Sequence, residues 1–501
     1  MMTDLKDLRN QLDDIDAQLR DLFIRRMETV DKVAAYKKEN SLPILDSKRE
    51  SEIISSNLSQ VEEKWQESYL SFQRNLLEIS RLHQSSVTAE SEPLLNDSAD
   101  FSAFVDNAFK AGADARNDPD CLANATIGSL HDEQGSIITF RSVYDTYECI
   151  PDSRRATYAS RIEGNEDFNE AVYRWINRLD NLHLPHRLIA TPGGTGALYL
   201  PVSNCLNRGD ALLIPEICWG TYRIMAARSG LNTETYGLFA QGQPSIDSLK
   251  EKAALIMKRQ KRLAVIINDP CHNPTGASLG KENWKQLISF FNELAVVGPV
   301  MIINDVAYLD YAYDWKNATD YMEAFNGIND NVAVCITFSC SKSLTAYGMR
   351  LGNCIILAHR QQQAAHLFNC FCRSARGTWS NVNNGFMDAF VLLMKDHQDE
   401  YLQEKQQAID LLKARSQLFI SNAQRVGLPL VPYQEGFFIC LDIEPDIIDR
   451  YYQALKDAHI YCVHFRKAIR VAICSLRISQ IAGLAQRMKQ VLDEVRSQTS
   501  K

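Results

Sequence analysis

The first 84 residues contain one proline and no glycine. So long a stretch without glycine favours helices over hairpins and tight turns. Its apolar residues keep helical time: Leu5, Leu8, Leu12, Ile15, Leu19 and Leu22 recur at steps of three and four, and the pattern continues through Val30 and Val33 to about Lys38. A helix of ~35 residues spans roughly 50 Å, too long to bury itself in a lone small domain, so a partner helix is expected. Asn40-Ser41-Leu42-Pro43 ends it, because proline cannot continue the ladder and restricts the residue before it. Two more helices are predicted, over about 47–58 and 62–84. The second of these carries Trp65, Leu70, Phe72, Leu76, Leu77 and Ile79.

The pattern then changes. Residues 86–100 are rich in hydroxyls and acids and hold a proline, which marks a linker. From 101 onward helical segments alternate with apolar runs at Ala211–Ile214, Leu263–Ile267, Val300–Ile303 and Val332–Phe338. Such alternation predicts an α/β domain with a largely parallel sheet. Beyond about 395 the chain is helix-rich, with strand candidates at Gly436–Asp442 and Ile469–Ile473. The expected division is a helical domain over 1–85, a linker over 86–100 and an α/β domain over 101–501.

Composition narrows the function. A net charge of −8 gives no reason to expect nucleic acid as partner. No run of roughly 18 apolar residues suggests a membrane span. The 13 cysteines lack paired metal-type spacing, so no metal is expected. Without an apolar signal core they read as reduced, buried thiols of a cytoplasmic protein.

In the α/β part, Lys342 lies in Ser339-Cys340-Ser341-Lys342, and Arg350 follows eight residues on. A lysine can form an imine with an aldehyde. Hydroxyls and an arginine can hold a phosphate dianion. Thr191-Pro192-Gly193-Gly194-Thr195-Gly196 precedes an apolar helical run, where backbone N–H groups can meet an anion. Asp305 follows the run Val300–Ile303 and falls at the carboxyl edge of a predicted sheet, where ligands bind. There it can pair with a pyridinium N–H. Asn273, in Asn273-Pro274-Thr275-Gly276, and Trp219 also follow predicted strands.

Together these motifs resemble the fold-type I aminotransferases, in particular the aspartate and aromatic aminotransferase group, over about residues 100–500. The resemblance implies a pyridoxal 5′-phosphate enzyme with a large, mostly parallel sheet domain and a smaller α+β domain. Lys342 would anchor the cofactor and move a proton at substrate Cα. Asp305 would hold the pyridine nitrogen, Asn273 and Tyr308 the ring oxygen, and Trp219 the ring face. Gly194, Thr195, Ser339, Ser341 and Arg350 would bind the phosphate. Tyr158 resembles the tyrosine that reaches a neighbour's phosphate, and Gly128 the mobile N-terminal substrate loop. Arg470 matches the arginine that grips the substrate α-carboxylate, and Arg376 the one given across a dimer to a distal carboxylate.

In the helical part, Arg26 and Lys37 stand 11 positions apart, about 20° in phase, on the face that also carries Leu12, Ile15, Leu19, Val30 and Val33. Cations on an apolar face need anions. Arg9 lies about 100° away in phase, so a second chain is better placed to supply it. Asp46, Arg49 and Glu50 fall within one turn, and Ser80 and Gln84 one turn apart. This set has no nucleophile–base pair, and it suits a small polyanion held without covalent chemistry.

It resembles the all-helical chorismate mutases over residues 4–85. Their reaction is the pericyclic rearrangement of chorismate to prephenate, in an intertwined dimer. By resemblance, Lys37 and Gln84 donate to the ether oxygen as its negative charge grows. Arg26, Arg49 and the partner's Arg9 hold carboxylates, Glu50 and Asp46 meet the ring hydroxyl, and Ser80 adds a contact. The combined expectation is a bifunctional enzyme of phenylalanine and tyrosine biosynthesis, a homodimer or dimer of dimers acting on chorismate, 2-oxo acids and amino acids. Its acceptor would be prephenate or a phenylpyruvate, and glutamate or aspartate the donor. Three alternatives stand beside it: a helical segment that only dimerises or binds an effector, pyridoxal chemistry of elimination or decarboxylation, and a non-catalytic ligand-binding module.

Overall fold

A computed structural model describes residues 5–40, 42, 47–88, 106–465 and 467–499. The chain divides into two compact units, Met1–Phe104 and Val105–Lys501.

The first unit is helical. Helix α1 spans Leu5–Glu39, α2 Ser47–Leu58 and α3 Glu63–Thr88. Helix α3 runs four residues past the predicted end, so residues 85–88 are helix. Both α1 and α2 pack on α3. Only Val30 and Ala34 of α1 are buried, and they lie one turn apart. The rest of the predicted apolar face is open: Leu5, Leu8, Leu12, Ile15, Leu19 and Leu22 are each at least 45% exposed, and Val33 is 41% exposed. The expected core side of Arg26 and Lys37 is therefore narrower than the sequence implied. It consists of Val30 and Ala34, while Leu12, Ile15 and Leu19 face outward from a single chain.

The second unit is α/β. Its strands are β1 His186–Thr191, β2 Ala211–Pro215, β3 Asn232–Tyr236, β4 Leu263–Asn268, β5 Val300–Asp305, β6 Val332–Ser339 and β7 Gly352–Ala358. They form one sheet in the order β1-β7-β6-β5-β4-β2-β3. Pairing is parallel from β6 through β3, and β7 is antiparallel to both its neighbours. Strands β4 and β5 are buried at every position, which is why they read as unbroken apolar runs. Alternate residues feed two cores. Leu213, Val265 and Ile302 point to one, and Leu212, Ala264 and Ile303 to the other. Near the end of the chain, β8 (Phe438–Leu441), β9 (Val463–Phe465) and β10 (Ala468–Ala472) make a small antiparallel sheet in the order β8-β10-β9.

Among the described residues no helix is long and apolar enough to cross a membrane, and no cluster of metal-ligating side chains occurs. All 13 cysteines are free thiols. The expectation that they are buried fails at Cys149 and Cys370, which are exposed.

Candidate active sites

The sheet order explains why residues far apart in sequence gather at one edge. Asp305 ends β5, Ser339 ends β6, Thr191 ends β1, and Asn273 lies just beyond β4. Strand β7 runs the other way, and its first residue, Gly352, pairs with both Ser339 and Thr191. Arg350 thus enters the same edge from the opposite direction.

At that edge the Arg350 guanidinium donates to Ser341 Oγ at 3.1 Å and to the Pro192 carbonyl at 3.4 Å. Gly193 has φ +72°, and a Cβ there would sit 2.7 Å from Arg350 Nη2. A Cβ at Gly194 would sit 3.2 Å from Ser339 Cβ. The helix Gly193–Asn204 opens beside this cup with no side-chain cap, so no capping side chain takes the first-turn amides around Gly194 and Thr195. Arg350 forms no ion pair among the described residues. The cup combines a guanidinium, two hydroxyls and open amides, which is a donor set for a phosphate.

Asp305 is buried. It accepts from Tyr222 Oη at 2.5 Å and from the Ala307 N–H at 3.1 Å. Burial pushes its carboxyl up to about 6 against the pull of those two donors. It forms no ion pair among the described residues, so a cation facing it would restore its ordinary ionisation. Tyr222 lies one turn beyond Trp219, and the two rings meet edge to face at 5.7 Å. Asn273 Nδ2 lies 3.4 Å from Tyr308 Oη, and both residues are buried. A buried carboxylate, an amide–phenol pair and a phosphate cup fit pyridoxal phosphate in charge and donor type.

Lys342 follows Ser339 on the short helix Cys340–Ser343, and Ser339 Oγ caps it by accepting from the Ser341 N–H. Its Nζ donates to the Gly128 carbonyl at 2.6 Å and lies 4.7 Å from the Tyr347 ring, 5.5 Å from Tyr308 and 5.9 Å from Phe437. Desolvation, with Arg470 and Arg350 adding to it, lowers the amine to about 8. Arg470, on β10, is buried. It donates to the Thr126 carbonyl at 2.9 Å and stacks 4.3 Å over Phe438, while its Nε has no partner. Burial lowers its pKa. A buried guanidinium with an unused N–H and no carboxylate beside it is a receptor for one.

Two residues stand apart from this cluster. Tyr158 is 83% exposed, and Arg376 sits exposed near the end of the helix Gln361–Thr378, donating to Ser380 Oγ at 2.7 Å. Neither reaches Lys342 within one chain by any hydrogen bond or ring contact among the described residues.

In the helical unit Arg26 donates to Ser80 Oγ, and Ser80 Oγ donates to the Leu76 carbonyl at 2.6 Å. Partial burial lowers the Arg26 pKa. Glu50 Oε2 meets Arg81 at 2.5 Å, while Arg49 turns to Glu52 at 3.5 Å. Gln84 is buried one turn beyond Ser80, and Lys37 is half-buried on the Arg26 face. Arg9 is exposed. Asp46 lies outside the described residues. Arg81 was not legible as a site residue because its partner sits on another helix; Tyr222 was legible only as a neighbour of Trp219.

Residues 125–493 match the family described as aminotransferase class I and II, and residues 8–85 match chorismate mutase type II. The chain is 31% identical to a crystal structure of an aminotransferase from Anaerococcus prevotii, with TM-score 0.76, covering 79% of this chain and 98% of that one. It is 24% identical over 317 residues to the aromatic-amino-acid aminotransferase of Pseudomonas aeruginosa, covering 60% of this chain and 74% of the relative. It is 23% identical over 407 residues to the mitochondrial aspartate aminotransferase of Gallus gallus, covering 77% and 90%. It shares its fold with an aromatic-amino-acid aminotransferase from Burkholderia pseudomallei covalently bound to pyridoxal phosphate, at TM-score 0.66 and 19% identity, over 78% of this chain and 98% of that one.

Proposed function

Because this chain belongs to the class I and II aminotransferases and opens with a type II chorismate mutase domain, we propose that it is a bifunctional enzyme of aromatic amino acid biosynthesis. The helical unit rearranges chorismate to prephenate. The α/β unit transfers an amino group from glutamate or aspartate to prephenate or a phenylpyruvate.

Pyridoxal phosphate, held at the sheet edge, supplies the electron sink for negative charge at substrate Cα. Lys342 would hold it covalently and would move the proton at that carbon. An amine near 8 is partly neutral at physiological pH and can act as a base. Asp305, held by Tyr222, keeps the ring nitrogen protonated, and Asn273 and Tyr308 orient the ring oxygen. Gly194, Thr195, Ser339, Ser341 and Arg350 would hold the phosphate, and Trp219 would pack against the ring. Arg470 binds the substrate α-carboxylate. Tyr158 and Arg376 serve the site of a neighbouring subunit in a homodimer, in keeping with their exposure.

In the helical unit the reaction needs no covalent help. Arg26, Arg49 and the partner's Arg9 hold the two carboxylates, and Lys37 and Gln84 donate to the ether oxygen as the C–O bond breaks. Glu50, steadied by Arg81, and Asp46 accept from the ring hydroxyl, with Ser80 bonded to Arg26 beside them.

The acceptor reading rests on one observation above the rest. Around Lys342 and Arg470 the walls are rings: Tyr308, Tyr347, Phe437 and Phe438. They suit an aromatic or ring-bearing 2-oxo acid. Supplying chorismate, L-glutamate and pyridoxal phosphate should give arogenate if prephenate is the acceptor, and supplying phenylpyruvate or 4-hydroxyphenylpyruvate with L-glutamate should give phenylalanine or tyrosine if a phenylpyruvate is. Equal or better turnover of oxaloacetate would defeat the reading. The outcome would then favour a second one, an aspartate-type aminotransferase whose helical segment serves dimerisation or effector binding, a reading supported by the length of the match to the Gallus gallus enzyme.

A further inference from the structure

Arg415 is the largest charged side chain with no exposure at all. It projects from the helix Gln398–Val426, 282 positions from its one anionic partner, Glu133. Its Nε and Nη2 donate to Glu133 Oε1 at 3.1 and 2.6 Å, and its Nη1 donates to the carbonyls of His131 at 2.8 Å and Cys474 at 2.9 Å. The other Glu133 oxygen accepts from the Ile478 N–H at 2.9 Å.

These contacts join the two chain segments that handle substrate. Segment 126–133 enters the site, where Arg470 donates to the Thr126 carbonyl and Lys342 to the Gly128 carbonyl. Cys474 follows four residues after Arg470, and its carbonyl also accepts from the His131 N–H at 3.0 Å. One guanidinium therefore fixes both the segment over Lys342 and the end of the strand that carries Arg470. A planar fork holds such a junction in one geometry, and a buried cation with a single carboxylate partner resists being parted from it.

We propose that Arg415 and Glu133 are positioning residues for substrate carboxylate binding. They touch neither cofactor nor substrate. They set the distance between segment 126–133 and the Arg470 guanidinium, and so govern affinity for the amino acid and 2-oxo acid more than the rate of proton transfer at Lys342. The inference rests on the aminotransferase reading of this site, but not on which 2-oxo acid is the acceptor.

The test uses the full-length, cofactor-loaded enzyme with Glu133→Gln and Glu133→Asp, and L-glutamate and L-phenylalanine as parallel donors. Glu133 is 36% exposed, so the glutamine variant should fold. Expected for Glu133→Gln is a KM for the donor raised about ten-fold or more, with kcat within about two-fold. Its cofactor absorbance and chorismate turnover should match the wild type, its melting temperature should fall because Arg415 loses its carboxylate, and Glu133→Asp should recover most of the affinity. An unchanged KM overturns the proposal, as does a loss of kcat that follows lost cofactor. A wild-type enzyme that uses neither donor would instead count against the donor reading; variant and wild type are then compared by the donor concentration that perturbs cofactor absorbance, where an unshifted value overturns the inference.

Discussion

The helical and α/β units both collect cations for small acids, yet they finish the task differently. In the α/β unit the guanidinium proposed for the α-carboxylate is fully housed by one chain: Arg470 is buried, stacked on Phe438 and carries an unused N–H. In the helical unit Arg26 is only half-buried, Arg9 is exposed, and a stripe from Leu5 to Leu22 lies open. A sheet edge can bury a charge because strands arrive from several places in sequence. Three helices of one chain cannot surround a ligand as fully, and the open stripe has the spacing of a surface that meets another helix.

That contrast can be broken in several ways. The largest effect is expected for Lys342→Ala: amino transfer should fall on the order of 10⁴-fold, while chorismate turnover stays at the wild-type level. If both fall together, the units are not independent. Next comes Arg26→Ala, which should lower chorismate turnover by about 10²–10³-fold through loss of preorganised charge and leave amino transfer unchanged in steady-state assays.

A third prediction concerns Asp305 in the cofactor-free protein. Its carboxyl is raised from 3.8 to about 6. The native state thus favours the protonated form, and that contribution is present below pH 3.8 and lost as pH rises through 6. Asp305→Asn removes the dependence. The variant should gain about 3 kcal/mol relative to wild type between those pH values, read from denaturant melts without cofactor. With cofactor bound, the gap should shrink.

The smallest effect tests the open stripe. Leu12→Glu or Leu19→Glu should cost roughly 1.5–3 kcal/mol of association per side chain. Chorismate turnover per molecule should then fall on serial dilution at higher protein concentration than in wild type. No change would mean that the stripe is not covered by a second copy.

Much of this was written in the sequence. Strands β4, β5 and β6 announce themselves because a strand covered on both faces must be largely apolar, and Asp305 and Ser339 stand out as polar residues that close such runs. Lys342, Arg350 and Asn273 could be placed for the same reason. Tyr222 could not, since nothing local distinguishes a tyrosine that reaches a carboxylate 83 positions away from one that packs. Arg415 and Glu133 were invisible because their pairing spans most of the unit. The apolar face of α1 was legible as a helix face, but sequence periodicity does not say which part a chain covers by itself and which part it leaves open.

Gly193 carries a consequence of its own. With φ +72° and Arg350 Nη2 2.7 Å from any Cβ placed there, every replacement crowds the guanidinium of the phosphate cup. A missense change at this codon should yield a chain that folds but loads its vitamin-derived group weakly. Such a lesion answers to supply, because occupancy recovers by mass action as the free cofactor rises. Amino transfer by such a variant should therefore climb back toward the wild-type level as pyridoxal phosphate is added to the assay.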